Sequence, residues 1–485
     1  MSSEERRKRK ASSFPSPSRT VAPLSLSRKM GPTFPSRTKD ILLALSLLAT
    51  LYLLYRDPAP IASPSRAWHH RAPPTTRSHI LFSVASSSAS FPRREPYLRL
   101  WYSPNSTRAF AFLDRPPAPG QSTAALPPVV ISRDTSRFPY TCKGGLRSAV
   151  RVARVVKEAV ELNQTGVRWF VFGDDDTVFF VDNLVRTLSK YDHEGWYYVG
   201  SNSESFDQNQ KYSFEMGFGG AGFAISYPLA KVLAKVFDSC LFRYSHLYGS
   251  DARVFSCLAE LGIGLTHEPG FHQVDMRGNL FGMLSSHPLS PLVSLHHLEA
   301  ADPIFSNMSK IGAVAKLFRA ADVDPARILQ QTVCYHRGNS LTVSVAWGYS
   351  VQVFEGNELL PELLSMQKSF RPWRRSAEYS NFMFNTRDYP RDACKRPLVF
   401  FMDSVTSDKY GIWSNYTRGD DTNCRRSVAI RSLKHIRVLS QKLEPDAEQM
   451  KAPRRQCCEI SSSNRNSMVI SIRHCGPDEL ISMHS

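Results

Sequence analysis

The feature that most constrains this chain is a buried-strand pattern running straight into three adjacent carboxylates, Trp169-Phe170-Val171-Phe172-Gly173-Asp174-Asp175-Asp176-Thr177-Val178-Phe179-Phe180. Five of the six residues from Val167 to Phe172 are apolar or aromatic, the pattern of a strand covered on both faces. Three neighbouring anions repel one another and cannot enter a core unpaired. At the carboxyl end of a strand, where open α/β sheets bind their ligands, they suit a divalent cation. Mg²⁺ and Mn²⁺ prefer hard oxygen ligands, often take only one or two carboxylates, and complete their shell with water and phosphate. Taken alone, the triplet fits a solvated acidic turn as well as it fits a cation site, so the surrounding chain has to decide.

At 485 residues the chain has room for two or three folding units. Its formal charge of +18 raises nucleic acid as a partner, but the excess is concentrated. Residues 1–40 hold ten Lys and Arg against three acids, with Ser and Pro filling most of the rest, a composition that does not bury a core. This segment has no aromatic interleaving, so nucleic acid is set aside. Ile41 to Tyr55 then follows without charge, Gly or Pro. A cleaved signal peptide has an apolar region of this length, but the basic leader is too long for one. The reading is a transmembrane signal anchor over 41–55, its basic flank cytosolic and the bulk of the chain luminal.

A luminal address agrees with the rest of the chain. Sequons begin at Asn105, Asn163, Asn307 and Asn415, and all nine cysteines lie beyond the anchor. None forms a CxxC pair, so zinc has little support. In an oxidising compartment most of them pair, leaving an odd thiol, and those from Cys334 onward predict a disulfide-braced C-terminal part.

Residues 56–78, rich in Pro, Ser, Ala and Arg, read as a stem. Strand patterns follow at His79–Val84, Ala109–Leu113, Val129–Ile131, Val167–Phe172 and Trp196–Val199. Helical patterns fall at Arg94–Trp101 with Pro96 in the first turn, Gly145–Leu162, Asn183–Tyr191 and Tyr227–Phe237. This alternation predicts a mostly parallel α/β sheet. Gly219, Gly220 and Gly222 with Ala221 form a loop that lets backbone approach a ligand, although it fits no phosphate-binding fingerprint. Ser250 is placed to cap a helix running to Leu261, which puts Asp251 in its first turn, where an acid also simply compensates the helix dipole. His296-His297 ends the apolar run from Pro291. Neighbours on a strand point to opposite faces, so at most one of the two faces a site. From about residue 310 the texture turns to β, with Leu341–Trp347 alternating as a half-buried strand and no catalytic constellation.

The runs RWFVFGDDDTVFFVDNLVRTLSKYDH, YYVGSNSES, GGAGFAISYPLAKVLAK, LYGSDARV, GFHQVDMRGNLFG and HPLSPLVSLHHLE, with FNTR at Asn385 and the paired Cys457-Cys458, resemble the plant Fringe-related proteins of the family 31 glycosyltransferases. The resemblance covers about residues 79–485. It implies a GT-A-type sheet over 79–309, a C-terminal mainly β region over 310–485, and a type II Golgi membrane protein. It also implies an inverting transferase that moves a sugar from a UDP-sugar to a glycan or glycoprotein acceptor, often through a β-1,3 linkage, with Mn²⁺ or Mg²⁺. By position, Asp174 and Asp175 belong to the nucleotide-sugar motif and Asp176 is the direct metal ligand, with His296 or His297 completing the shell. Gly219 to Gly222 lie against a sugar, and Asp251 is the base. Such relatives commonly read GSDDR where this chain has Ala252, which motivates a non-catalytic sugar-binding reading. A Mg²⁺-dependent aspartyl phosphatase using Asp174 as nucleophile is a further rival.

Overall fold

The computed structural model describes residues 36–55, 73–117, 125–374, 381–419, 424–463 and 466–483. The basic segment up to residue 35 and residues 56–72 of the expected stem lie outside these. The first element is helix α1 (Ser36–Tyr55), along which Ile41, Leu42, Leu43, Leu45, Leu47 and Leu48 are all exposed. The span expected over residues 41–55 falls on this helix. No helix among the described residues is long and apolar enough to cross a membrane. Arg37, Lys39 and Asp40 occupy the first turns, and the uncharged remainder rises only about 22 Å at 1.5 Å per residue, against a hydrocarbon core of about 30 Å.

The strands of the α/β part run in chain order as β1 (Ile80–Ala85), β2 (Ala109–Leu113), β3 (Val129–Ile131), β4 (Trp169–Asp174), β5 (Val178–Phe179), β6 (Tyr198–Gly200), β7 (Phe223–Ser226), β8 (Thr266–His267), β9 (Phe271–His272), β10 (Met276–Gly278) and β11 (Ser294–Leu295). Between them lie α2 (Phe91–Trp101), α3 (Ser148–Glu161), α4 (Val181–Leu188), α5 (Phe206–Lys211), α6 (Tyr227–Arg243) and α7 (Ser250–Glu260). Seven strands form the central sheet in the order β3-β2-β1-β4-β7-β6-β8. It is parallel from β3 to β4 and between β6 and β8, while β7 runs antiparallel to both its neighbours. The fold is mixed α/β with a parallel-rich sheet, as the alternation of patterns predicts.

Successive side chains on a strand face opposite ways, and both faces here are covered. Ile80, Phe82 and Val84 of β1 and Trp169 and Val171 of β4 pack on one side with Leu98 and Trp101 of α2 and Leu184 of α4. Leu81, Phe170 and Phe172 pack on the other with Val156 of α3, Leu233 and Phe237 of α6 and Leu258 of α7. Double coverage is why β4 reads as a continuous apolar run, and each such buried side chain contributes about 1.5–3 kcal/mol. Two local expectations change. Helix α2 starts at the buried Phe91, so Pro92 takes its first turn and Pro96 falls inside it; the acceptor that Pro96 leaves unused is the carbonyl of the exposed Pro92. Helix α7 takes Gly249 as its N-cap, with Ser250 already helical.

The C-terminal region is built on an eight-stranded sheet. Its strands lie in the order 331–336, 341–346, 350–355, 398–408, 411–418, 435–440, 467–473 and 457–463, antiparallel except where 435–440 meets 467–473. Leu341–Ala346 is buried at every position, not at alternate ones. One side meets the apolar core shared with helix Lys310–Val323. On the other, the Thr342 hydroxyl donates to the Gly356 carbonyl and accepts from the Glu358 amide. The residues from Pro73 onward form one compact unit, and its largest core runs from Ile80 to Ile472. Disulfides join Cys240 to Cys257, Cys334 to Cys458, Cys394 to Cys424 and Cys457 to Cys475, leaving Cys142 as the odd thiol. The Cys334–Cys458 bond ties strands 124 residues apart. Replacing both its cysteines by serine is expected to cost about 3–5 kcal/mol, measured as a lower urea midpoint at unchanged slope.

Candidate functional site

The acidic turn sits where β4 ends in the middle of the sheet, and three sets of interactions hold it there. Thr177, fully buried, accepts from the Asp174 amide at 2.9 Å and donates from its hydroxyl to the Gly220 carbonyl at 2.7 Å. This welds the turn to the glycine loop. That loop is fixed in turn by the Ala221 amide donating to Gln273 Oε1 at 2.7 Å and by the Ser294 hydroxyl on the Ala221 carbonyl. Finally, β11 pairs antiparallel with β5, Ser294 opposite Phe179 and Leu295 opposite Val178. The next residue along, His296, is thereby carried to the acidic turn.

The three aspartates take different partners. Asp175 turns to the start of α2, where its Oδ2 accepts from the hydroxyls of Ser86 and Ser90, each at 2.6 Å. Asp176 places Oδ1 3.0 Å from His296 Nε2 and Oδ2 3.2 Å from Arg94 Nη2. Asp174 is the outermost, with 43% of its side chain exposed, and lies 3.7 Å from the same His296 nitrogen. Arg94 also reaches Asp175 and Glu299, so one guanidinium is shared among three carboxylates. Burial alone would raise Asp176, but His296 and Arg94 more than offset it and hold the carboxyl well below the usual range. Burial likewise would lower His296, yet Asp176 and then Asp174 raise it to about 9. Removal from water in the cleft pushes Asp174 up to about 7, neighbouring carboxylates adding to the shift and His296 opposing it.

One ligand atom each from Asp174, Asp176 and His296 lies within 4.8 Å of the others. Ligands on opposite sides of an ion at about 2.1 Å stand about 4.2 Å apart, so a small contraction would close this trio on one divalent cation. Asp175, tied to serines, is not in it. Nor is His297, whose backbone enters the left-handed region at φ 51°. Its Nδ1 lies 3.3 Å from Asp275 Oδ1, and its ring stacks on Trp373 with centroids 4.2 Å apart. Sequence reasoning allowed for one histidine of the pair; the register of β11 selects His296.

Gly220 and Gly219 make the remaining contacts possible. A Cβ on Gly220 would fall 2.2–2.7 Å from the His296 ring, and one on Gly219 would fall 2.6 Å from Asp251 Oδ1. Asp251, in the first turn of α7, accepts from the Ser250 hydroxyl at 3.0 Å. It lines one small cavity together with Asp174 and Gly219. Burial raises its pKa, against the lowering pull of the Gly219 amide, Ser250 and His296. Ala252 packs against the apolar core. The site thus gathers Asp174, Asp176, His296, Asp251 and the glycine loop, and adds Arg94, Ser86, Ser90, Thr177 and Gln273. Thr177 and Gln273 lie within the quoted runs, but no local motif marks Arg94, Ser86 and Ser90, which are brought in by sheet order and not by spacing.

Two substitutions test this construction. Gly220→Ala should displace the His296 ring and cost about 1–3 kcal/mol by overpacking, read from thermal and urea unfolding. Arg94→Met should cost about 2–4 kcal/mol near neutral pH by leaving carboxylates uncompensated. Because Asp176 is held low in the folded protein, its contribution is present above the unfolded carboxylate value and is lost as pH falls towards the folded one. The deficit of Arg94→Met should therefore shrink in acid, and a deficit constant from pH 7 to 3 would contradict this account.

No protein of curated function matches the sequence. Among solved structures, the chain is similar to the mannosyltransferase PcManGT from Pyrobaculum calidifontis in complex with GDP-Man and Mn²⁺, at 12% identity and a TM-score of 0.26. That match covers 49% of this chain and spans 65% of the mannosyltransferase. Residues 208–458 match the family model described as "Protein of unknown function, DUF604", over half of the sequence, and the chain belongs to that family.

Proposed function

We propose that this protein is a glycosyltransferase of the GT-A type, transferring a sugar from a UDP-sugar to a glycan or glycoprotein acceptor with inversion, often through a β-1,3 linkage. The observation that carries the reading is the convergence of two carboxylates and an imidazole at the end of β4, with a separate carboxyl, Asp251, across Gly219 from them. The resemblance of the acidic, glycine-loop and GSD motifs to family 31 glycosyltransferases supports the same assignment.

Asp174, Asp176 and His296 would hold Mn²⁺ or Mg²⁺. The donor set fits, being two hard oxygens and one nitrogen, and the ion when bound supplies Lewis-acid neutralisation of the departing diphosphate. The chain's own residues do the rest. Arg94 keeps Asp176 ionised and oriented through the 3.2 Å contact. The glycine loop brings backbone close enough for a sugar to lie against it. Asp251 acts as the base: a sugar hydroxyl is a weak nucleophile and needs a carboxylate to take its proton as it attacks. A carboxyl raised by burial is a better proton acceptor than a solvated one. Ala252 offers no second acid at this turn, so the role falls to Asp251 alone.

The cysteine pairing suits an oxidising lumen, and a Golgi address belongs to this reading. The test is Mn²⁺-dependent turnover of a panel of UDP-sugars by the purified protein. Asp176→Ala should abolish hydrolysis of the donor. Asp251→Asn should lower transfer by about 10²–10⁴-fold while leaving UDP binding intact. Full transfer by Asp251→Asn would exclude this base, and donor turnover indifferent to Asp176→Ala would exclude the site.

A further inference from the structure

A cavity of about 700 Å³ lies apart from the acidic cleft and shares no lining residue with it. Its size falls within the range of small-molecule sites. The walls come from the loop after α4, the segment after β8, residues 330–332 and the stretch 443–456, closed by His474 and Cys475. The Cys457–Cys475 disulfide staples that last wall.

The charge on these walls is lopsided. Lys190, Lys451, Arg454 and Arg455 line it with a single carboxylate, Glu268, although Lys451 also pairs with Glu448 beside it at 3.5 Å. Glu268 is already taken, pairing with Lys190 and accepting from the Tyr191 hydroxyl. Arg455 is half-buried, and among the described residues no carboxylate pairs with it. Its Nη1 donates to the Gln331 carbonyl at 2.8 Å, which leaves most of a five-donor fork unused. Burial without a counter-charge lowers this guanidinium to about 10. A half-buried guanidinium with donors to spare, facing a roomy cavity, is a ready partner for an anion. The same lining includes Pro291, Pro445 and Pro453, rigid apolar surfaces on which the C–H face of a sugar ring could lie.

We propose that this cavity binds an anionic sugar unit, carboxylated or sulfated, with its charged group on Arg455 and its ring against the prolines. The anion follows from the walls alone; the choice of a sugar rests on the glycosyltransferase reading. Such a site would let the enzyme grip an acidic glycan at a point away from where transfer occurs.

Calorimetric titration of the whole protein tests this with four probes: trigalacturonic acid, a sulfated galactose trimer, neutral galactotriose and inorganic phosphate. At least one anionic trimer should bind about tenfold more tightly than the neutral one, and the tighter of the two identifies the charged group. Arg455→Gln should weaken that binding about tenfold, whereas Asp176→Ala, in the other cleft, should leave it unchanged. Equal binding of galactotriose, phosphate binding as tight as the trimers, or indifference to Arg455→Gln would overturn the proposal. So would loss of binding in Asp176→Ala. If Arg455→Gln does not fold, Lys451→Gln, at an exposed position, should weaken binding about two- to threefold and flatten its salt dependence; no change would count against the site. Binding without donor turnover would keep this cavity and sink the transferase reading, and turnover without binding would do the reverse.

Discussion

The structure depends on how three adjacent carboxylates are kept at the end of a buried strand. Left to themselves, Asp174, Asp175 and Asp176 would drive the turn into solvent. Instead the turn is divided: serine hydroxyls satisfy Asp175, His296 and Arg94 bracket Asp176, and Asp174 stays at the mouth. His296, raised by Asp176 and Asp174, sets a positive charge against both carboxylates.

Much of this was legible in the sequence, for a physical reason. The alternation of apolar runs and 3.6-residue patterns reports burial, and burial by helices on both faces is what β1 and β4 experience. Charge and glycine patterns likewise marked the acidic turn, the loop at Gly219–Gly222 and Asp251, because those chemistries are unusual in a sheet interior. Arg94 was not legible. It sits in a polar helix among other arginines, and only the neighbouring position of β1 and β4, with α2 following β1, brings it to the aspartates. The choice between His296 and His297 was hidden in the same way, since it follows from the pairing of β11 with β5 and from one left-handed backbone angle.

The errors are equally physical. A half-buried strand and a doubly covered one differ only in what packs on the polar side. Thr342 and Ser344 are small enough to be buried there, so alternation at Leu341–Ala346 misreported exposure.

One contact joins the two regions with a consequence for how the protein is made. Phe180, just beyond the acidic turn, stacks on Phe318 of the helix Lys310–Val323 with ring centroids 4.7 Å apart. That helix packs in turn into a core completed by Ile470 and Ile472. The strand holding these two residues is inserted between 435–440 and 457–463, not added at an edge. During synthesis, then, the ring that Phe180 stacks on is made only about 140 residues after the aspartates have emerged. The two halves mature together, and the α/β half released by itself would present Phe180 and its neighbours to water as an adhesive face.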